Sequence, residues 1–161
     1  MLRYMLYECD QPLVPLKKEL KMLKDYMLLE EIRYNDHLDL NVEFPDDIDD
    51  LYIAPLLLLP FIENRFKHGA SQVLEQPWIS LHISLRGSEI EMKLVNAKAE
   101  NKDQISTGIG ITNVRKRLEL LYPRRHTLNI SQTQDVYIVS LKLALERIAT
   151  SKEIKNILVE A

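Results

Sequence analysis

Four polar side chains that could do chemistry lie close together at the end of an apolar segment. Asn64, Lys67 and His68 have the spacing i, i+3, i+4, so they share one face of a helix, with Glu63 beside them. An amide oxygen that can bind a metal, an ammonium, an imidazole and a carboxylate therefore converge. An amphipathic helix with a solvated end, in which Glu63 and Lys67 form an ordinary i, i+4 ion pair, would explain the same residues.

The helix that must position these groups is predicted within residues 53–69. Three apolar residues with the spacing i, i+3, i+7 share a face that should point into a core: Leu59, Ile62 and Phe66. We expect the helix to begin at Pro55 and to be kinked or restarted at Pro60, because a proline inside a helix removes a backbone hydrogen bond. Gly69 is expected to end it as a C-terminal cap.

A second candidate site is the glycine segment just before a predicted helix at residues 109–122. Gly108 and Gly110 let the backbone approach a ligand closely, and the first-turn amides carry the positive end of the helix dipole. Such a segment is ready to bind an anion such as phosphate, although a tight turn into a helix would explain it too. The residues expected on the core side of this helix are Val114, Leu118 and Leu121.

Both segments resemble motifs of one family. Residues 63–69, Glu-Asn-Arg-Phe-Lys-His-Gly, resemble the asparagine box of sensor histidine kinases of the subfamily that pairs with LytTR response regulators. Residues 107–123, from Thr-Gly-Ile-Gly-Ile to Leu-Leu-Tyr-Pro, resemble the second glycine box of the same subfamily. The motifs occur in the expected order, with two strands between them. The chain therefore resembles the GHKL (Bergerat-fold) ATP-binding domain over roughly residues 13–145.

The resemblance implies an α+β fold: a two-layer sandwich of a mixed sheet of about five strands with helices on one face. It also implies ATP and Mg²⁺ as cofactors, bound between the asparagine helix and the glycine loop. Asn64 would hold the magnesium, and Glu63 would polarise or orient groups near it, so these two are the implied catalytic residues. The residues implied to contact ATP are Asn64, Lys67, His68, Gly69, Asn96, Gly108, Ile109, Gly110 and Ile111.

Two positions depart from the family pattern. At the first glycine box, where an aspartate reads the adenine amino group, Val95 or Asn96 stands in its place, and Ala97 follows where a glycine is usual. The Asn96 amide can hydrogen-bond adenine but lacks the charge-assisted bond of a carboxylate. Arg65 replaces the usual alanine of the asparagine box, and it could contact a phosphate or point to solvent.

The remaining segments give the rest of the predicted elements. Alternation of apolar and polar residues predicts strands at 38–44 and 78–85, with 89–95 as the hairpin partner of the second. Residues 127–131 and 136–143 are predicted to close the sheet as another hairpin. Residues 146–161 are expected to form an amphipathic helix that lies outside the resemblance. The predicted organisation is a linker and partial dimerisation region at 1–36, the ATP-binding domain at 37–145 and a helical tail at 146–161.

The helix that starts after Pro15 carries an apolar seam with a heptad spacing. Its members are Leu16, Leu20, Leu23, Met27 and Tyr34, with Glu30 as the polar break. The seam is shorter than the three to four heptads that indicate a coiled coil, which favours a helix packed on its own domain over a dimer seam. In the resembling kinases this region joins the ATP-binding domain to dimerising phosphoacceptor helices, so the resemblance implies a homodimer of the full-length protein.

Composition limits the classes of partner and compartment. The chain has 161 residues, 46% hydrophobic and 28% charged, and a net charge of −3, which gives no reason to propose nucleic acid as a partner. Cys9 has no second cysteine to pair with, so we expect a reducing cytosol. Residues 1–10 lack a signal-peptide pattern, and the apolar run at 53–62 contains two prolines and is too short to span a bilayer.

The histidine that accepts the phosphoryl group in the resembling kinases lies in a Pro-His-Phe segment. None of the four histidines has that context: His37, His68, His82 and His126. We therefore expect transfer of the ATP γ-phosphoryl group to a histidine outside this sequence. The expected setting is the cytoplasmic part of an inner-membrane sensor, with membrane contact through segments not present here and a LytTR-type response regulator as partner.

Two other classes of function remain open from the sequence. One is a degenerate nucleotide-binding or dimerisation module without kinase activity, which Val95 and Ala97 favour. The other is a stand-alone GHKL kinase that acts on a partner protein in trans. Measuring the affinity for Mg-ATP separates the first from the kinase hypotheses, and labelled ATP with a candidate protein substrate tests the second.

Overall fold

The computed structural model describes residues 11–34, 37–48, 50–66, 77–97 and 109–148. Its helices are α1 (Leu16–Tyr34), α2 (Leu59–Arg65) and α3 (Ile109–Leu121). Its strands are β1 (Val14–Pro15), β2 (Asp39–Glu43), β3 (Leu51–Ile53), β4 (Trp78–Arg86), β5 (Glu89–Ala97), β6 (His126–Gln132), β7 (Val136–Ala144) and β8 (Glu146–Arg147). The Cys9 and Gly69 expectations fall outside these residues.

The main sheet has five strands in the order β2-β4-β5-β7-β6. β2 runs parallel to β4, and the other neighbours are antiparallel. Along β5, Ile90, Met92 and Leu94 are buried, while the residues between them are more exposed, so one face of the sheet packs into the core. The predicted α+β fold with a mixed sheet of about five strands is confirmed, as are the five predicted strands.

Helix α1 packs on the same core as the sheet. The heptad residues Leu16, Leu20, Leu23 and Met27 are all buried in one cluster with residues of β4, β5 and β7. These side chains are therefore buried within the chain, as expected for a helix that packs on its own domain. A different face of α1 is open, where Leu28, Leu29 and Ile32 are exposed.

Helix α2 begins four residues later than the sequence predicted. Pro55 lies in a turn, and Pro60 falls in the first helical turn, where a proline is tolerated because its missing N–H would have no partner inside the helix. Pro60 therefore starts the helix and does not kink it. The predicted core face is confirmed: Leu59, Ile62 and Phe66 are all buried.

Two expectations near the C-terminus are wrong in part. Leu121, predicted to face the core, is 50% exposed, because α3 ends there and Tyr122, four residues after Leu118, takes the buried position. The predicted helix from residue 146 does not begin there. Glu146 and Arg147 form β8, which pairs with β3 in a small second sheet of order β1-β3-β8. Pairing with β3 gives this backbone its hydrogen-bond partners.

Candidate functional site

The end of α2 lies directly against the start of α3. A Cβ placed on Gly110 would lie 3.2 Å from Nδ2 and 3.7 Å from Oδ1 of Asn64. The missing side chain at position 110 therefore makes room for the Asn64 amide. The family resemblance implied that these two residues lie on either side of bound ATP, and in the structure they are neighbours.

A buried carboxylate of α1 holds the turn that leads into α2. Glu19 Oε2 accepts a hydrogen bond from the Leu56 amide at 3.0 Å, and Oε1 accepts one from the Leu58 amide at 3.5 Å. Leu58 is the N-cap of α2, and its own side chain makes no capping hydrogen bond. Glu19 thus acts as a remote cap, and its negative charge suits the positive end of the helix.

The same turn is held from the other side by α3 and the residue that follows it. Arg117 Nη2 donates to the Pro55 carbonyl at 2.8 Å, and Nη1 donates to the Leu56 carbonyl at 3.2 Å. The Ala54 amide donates to the Tyr122 hydroxyl at 2.8 Å. Burial raises the pKa of Tyr122, so its phenol stays neutral. The turn before Asn64 is therefore fixed between α1 and α3.

Replacing Arg117 by alanine should lower the free energy of unfolding by about 1–3 kcal/mol. Both carbonyls, of Pro55 and of Leu56, lose a charged donor while they remain partly buried. Urea denaturation followed by circular dichroism measures the change. Lys116→Ala, an exposed position on the same helix, is the matched control. Equal stability of the two variants would show that Arg117 does not hold the turn.

Arg65 does not point to solvent, one of the two orientations that the sequence left open. It is only 5% exposed, and its guanidinium lies 3.7 Å from the centre of the Tyr137 ring. Burial lowers the pKa of Arg65. A cation over an aromatic face is attracted to it, so Tyr137 partly offsets the cost of burying this charge.

Asn96 lies at the end of β5 on the buried face of the sheet. It is 2% exposed, and its Nδ2 donates to the Ala97 carbonyl at 2.7 Å. Its Oδ1 is buried and has no hydrogen-bond partner among the described residues. Tyr137 is the residue directly opposite Asn96 on β7, so the two side chains stand on the same face. Asn96 therefore offers a free acceptor at this end of the sheet.

Tyr137 was missed by sequence reasoning, because it falls in the regular alternation of β7 and reads as an ordinary core residue. Its hydroxyl is buried and has no hydrogen-bond partner among the residues described. Burial raises the pKa of Tyr137, so the hydroxyl keeps its proton. A phenol on an otherwise aliphatic buried face was the signal that could have found it.

The ends of α2, β5 and β7 thus share an unusual property. Within the described part of the chain, four buried atoms there lack hydrogen bonds: Asn64 Nδ2, Arg65 Nε, Asn96 Oδ1 and Tyr137 OH. Each such group costs about 1–3 kcal/mol when it stays unpaired. Buried polar groups are normally satisfied, so these four atoms are candidates for contact with a ligand or with ordered water.

Other candidate residues are placed less directly. Glu63 is half-buried, and its charge adds to the effects that raise the pKa of Tyr26 on α1, of which burial is the largest, followed by the hydrogen bond to Glu30. Ile111 is fully buried, so its side chain belongs to the core. Ile109 is the first residue of α3. The remaining candidates lie outside the described residues: Lys67, His68, Gly69 and Gly108.

The described residues contain no group of three or more His, Cys, Asp or Glu side chains that could hold a metal ion by themselves. The Asn64 amide is the one candidate ligand that the sequence named. Magnesium commonly binds through one or two protein oxygens together with substrate phosphates and water. The residues present therefore fit magnesium as part of a metal–phosphate complex.

The fold defines the class: it is that of a histidine kinase catalytic domain. The catalytic domain of the histidine kinase ThkA superposes with a TM-score of 0.58 at 12% identity, covering 84% of this chain and 97% of that chain. The Acinetobacter baumannii histidine kinase AdeS gives a TM-score of 0.58 at 12% identity over 84% of this chain and 67% of that one. The expected histidine kinase ATPase-like fold is confirmed.

Sequence relatives lie in the same class. The family model "Histidine kinase" matches residues 1–38. The sensor histidine kinase BtsS of Escherichia coli K12 is 24% identical over 132 residues, which are 81% of this chain and 24% of that protein. The sensor protein LytS of Staphylococcus epidermidis is 25% identical over 140 residues, 79% of this chain and 24% of that protein. The predicted resemblance to sensor histidine kinases is confirmed.

The chain spans about a quarter of the length of these relatives: its matched part covers 24% of both BtsS and LytS. Within the described residues, no helix combines the length and apolar character needed to cross a membrane.

Proposed function

We propose that this chain is the ATP-binding catalytic part of a two-component sensor histidine kinase. It would position Mg-ATP for transfer of the γ-phosphoryl group to a histidine outside these 161 residues. The observation that carries the proposal is the contact of the Asn64 amide with Gly110, which joins the end of α2 to the start of α3. An amide side chain and a helix N-terminus at one place provide for a metal and for phosphate oxygens together.

Different residues would bind the magnesium, the phosphates and the adenine of Mg-ATP. Asn64 would contribute its amide oxygen to magnesium, and the amides at the start of α3 would receive phosphate oxygens. The unpaired Oδ1 of Asn96 would accept a hydrogen bond from the adenine amino group. Glu63, Lys67 and His68 would lie around the phosphates. Bound magnesium would neutralise charge on the phosphates during transfer.

The contribution of the protein to such a reaction is mainly positioning. Phosphoryl transfer depends on alignment and charge stabilisation more than on covalent chemistry by side chains. The hydrogen bonds of Glu19 and Arg117 fix the turn before α2, and so fix the Asn64 backbone relative to α3. A small displacement here would separate the metal ligand from the phosphate-binding amides.

We further propose the setting of this activity. As the sequence relatives are sensor kinases such as LytS, a LytTR-type response regulator would be the partner, and the chain would lie in the cytoplasmic part of a membrane sensor. A homodimer of the full-length protein would use surfaces other than the heptad residues of α1, because those side chains are buried within the chain.

Mg-ATP should bind to the chain, and Asn64→Ala should weaken binding about tenfold, because one metal ligand is lost. Isothermal titration calorimetry with magnesium, repeated with EDTA, measures the effect, and the difference between the two proteins should shrink when magnesium is removed. Asn129→Ala, an exposed asparagine of β6, is the matched control. If the unmodified chain binds no Mg-ATP, the kinase proposal is wrong, and a non-enzymatic interaction module replaces it.

A further inference from the structure

Arg65 brings a positive charge into the interior, and no carboxylate in the described part of the chain pairs with it. It is 5% exposed. Burying an unpaired charge is costly, and a single cation–π contact with Tyr137 offsets only part of that cost. If the Arg65 side chain were exposed to solvent, the cost of burying its charge would not arise. We therefore expect the Arg65 guanidinium to have a function that requires its buried position.

The guanidinium of Arg65 lies against the Tyr137 ring, with Cζ 3.7 Å from the ring centre. A guanidinium meets an aromatic ring with its face, while its N–H bonds lie in its plane and point outward. The Nε atom is buried and has no hydrogen-bond partner among the described residues. A guanidinium that meets Tyr137 with its face would present its N–H groups as a planar fork, and such a fork matches a ligand with two acceptors side by side.

The neighbouring groups complete a pattern of donors and acceptors. Asn96 donates one N–H of Nδ2 to the Ala97 carbonyl, and its Oδ1, which can only accept, has no partner among the described residues. The Tyr137 hydroxyl can either donate or accept. The end of the sheet thus offers donors from Arg65, an acceptor from Asn96 and one group of either kind. A purine base, which carries donors and acceptors along one edge, is complementary to this set.

We infer that Arg65 is a specificity-determining residue that lets the proposed nucleotide site accept guanine nucleotides as well as adenine nucleotides. The inference rests on the proposed nucleotide-binding function. Adenine would use the Asn96 acceptor through its amino group. Guanine would give O6 and N7 to the Arg65 fork, a pairing that arginine makes more often than any other specific base contact, and its N1–H or amino group to Asn96.

The test compares two nucleotides on two proteins. ADP and GDP with magnesium are titrated calorimetrically into the full chain and into Arg65→Ala. The unmodified chain should bind GDP within about tenfold of ADP. Arg65→Ala should lose about tenfold or more in affinity for GDP and less than about threefold for ADP, since a bidentate arginine–guanine pair gives about that discrimination. The ratio of the two affinities cancels any general loss of stability.

Two further variants separate specificity from structure. Arg65→Lys keeps the charge but loses the planar fork. Its affinity for GDP should therefore also fall by more than its affinity for ADP. Arg125→Ala removes another arginine beside a tyrosine, 5.8 Å from the Tyr122 ring beyond the far end of α3, and should leave the ratio unchanged. Binding of ADP without GDP by the unmodified chain, or an equal loss of both in Arg65→Ala, would overturn the inference alone. Failure of both nucleotides to bind would instead refute the proposed function.

Discussion

Glu19→Ala is expected to lower the free energy of unfolding by about 3 kcal/mol, a large part of the stability of a chain this size. Glu19 is fully buried, and it accepts hydrogen bonds from the amides of Leu56 and Leu58. Alanine leaves both amides without this acceptor and opens a cavity in the core. The N-terminus of α2 also loses its remote cap and the favourable negative charge near it.

Urea denaturation gives the free energy of unfolding of each protein. The slope of this free energy against urea concentration should be the same for all of them. Glu31→Ala is the matched control, because Glu31 is an exposed glutamate of the same helix. Glu19→Gln, which keeps the shape and one acceptor oxygen, should lie between the two. If Glu19→Ala unfolds at the same urea concentration as Glu31→Ala, the remote cap contributes nothing and the turn before α2 is held by other contacts.

The strands were predictable because their information is local. Strict alternation in residues 78–85 and 89–95 gave β4 and β5, and Arg86 to Ser88 between them gave the hairpin, whose Gly87 has a φ of 63°. One buried sheet face requires one apolar residue in two, which a single segment displays by itself. The buried face of α2 was equally visible in its own spacing.

The residues that organise the site were not predictable, because their partners are distant in sequence. Glu19 acts on a turn 37 positions away, and Arg117 acts on the same turn from 61 positions beyond it. In a helix such residues look like ordinary surface charges. The short strand at Glu146 and Arg147 escaped for a related reason, since it exists by pairing with β3 and carries no pattern of its own.

The asparagine and glycine motifs were predictable from the sequence only in part. Each segment alone was equally compatible with an ordinary helix end or a tight turn. Their contact, Asn64 against Gly110, is a tertiary fact that neither segment contains. The resemblance to a family implied only that the two segments face one ligand, and the direct contact needed the structure, as did the position of Arg65 on Tyr137.

Gly110→Ala is expected to weaken Mg-ATP binding at least about tenfold while changing the free energy of unfolding by less than about 0.5 kcal/mol. The new Cβ would lie 3.2 Å from Asn64 Nδ2, so the amide must move by a few tenths of an ångström. Alanine is the better helix former, and this gain offsets the tight contact. Binding suffers because the displaced group is the proposed metal ligand.

Gly87→Ala is the matched control, with the opposite expected pattern. Gly87 has a positive φ of 63° and open space around it, so alanine there strains the backbone and costs about 1 kcal/mol of stability. Because Gly87 lies at the other end of β5 from Asn96, nucleotide affinity should not change. Calorimetric titration and urea denaturation of both variants measure the two effects. If Gly110→Ala binds Mg-ATP as the unmodified chain does, the space that this glycine gives to Asn64 has no part in holding a nucleotide, and the proposed site loses the contact on which it is built.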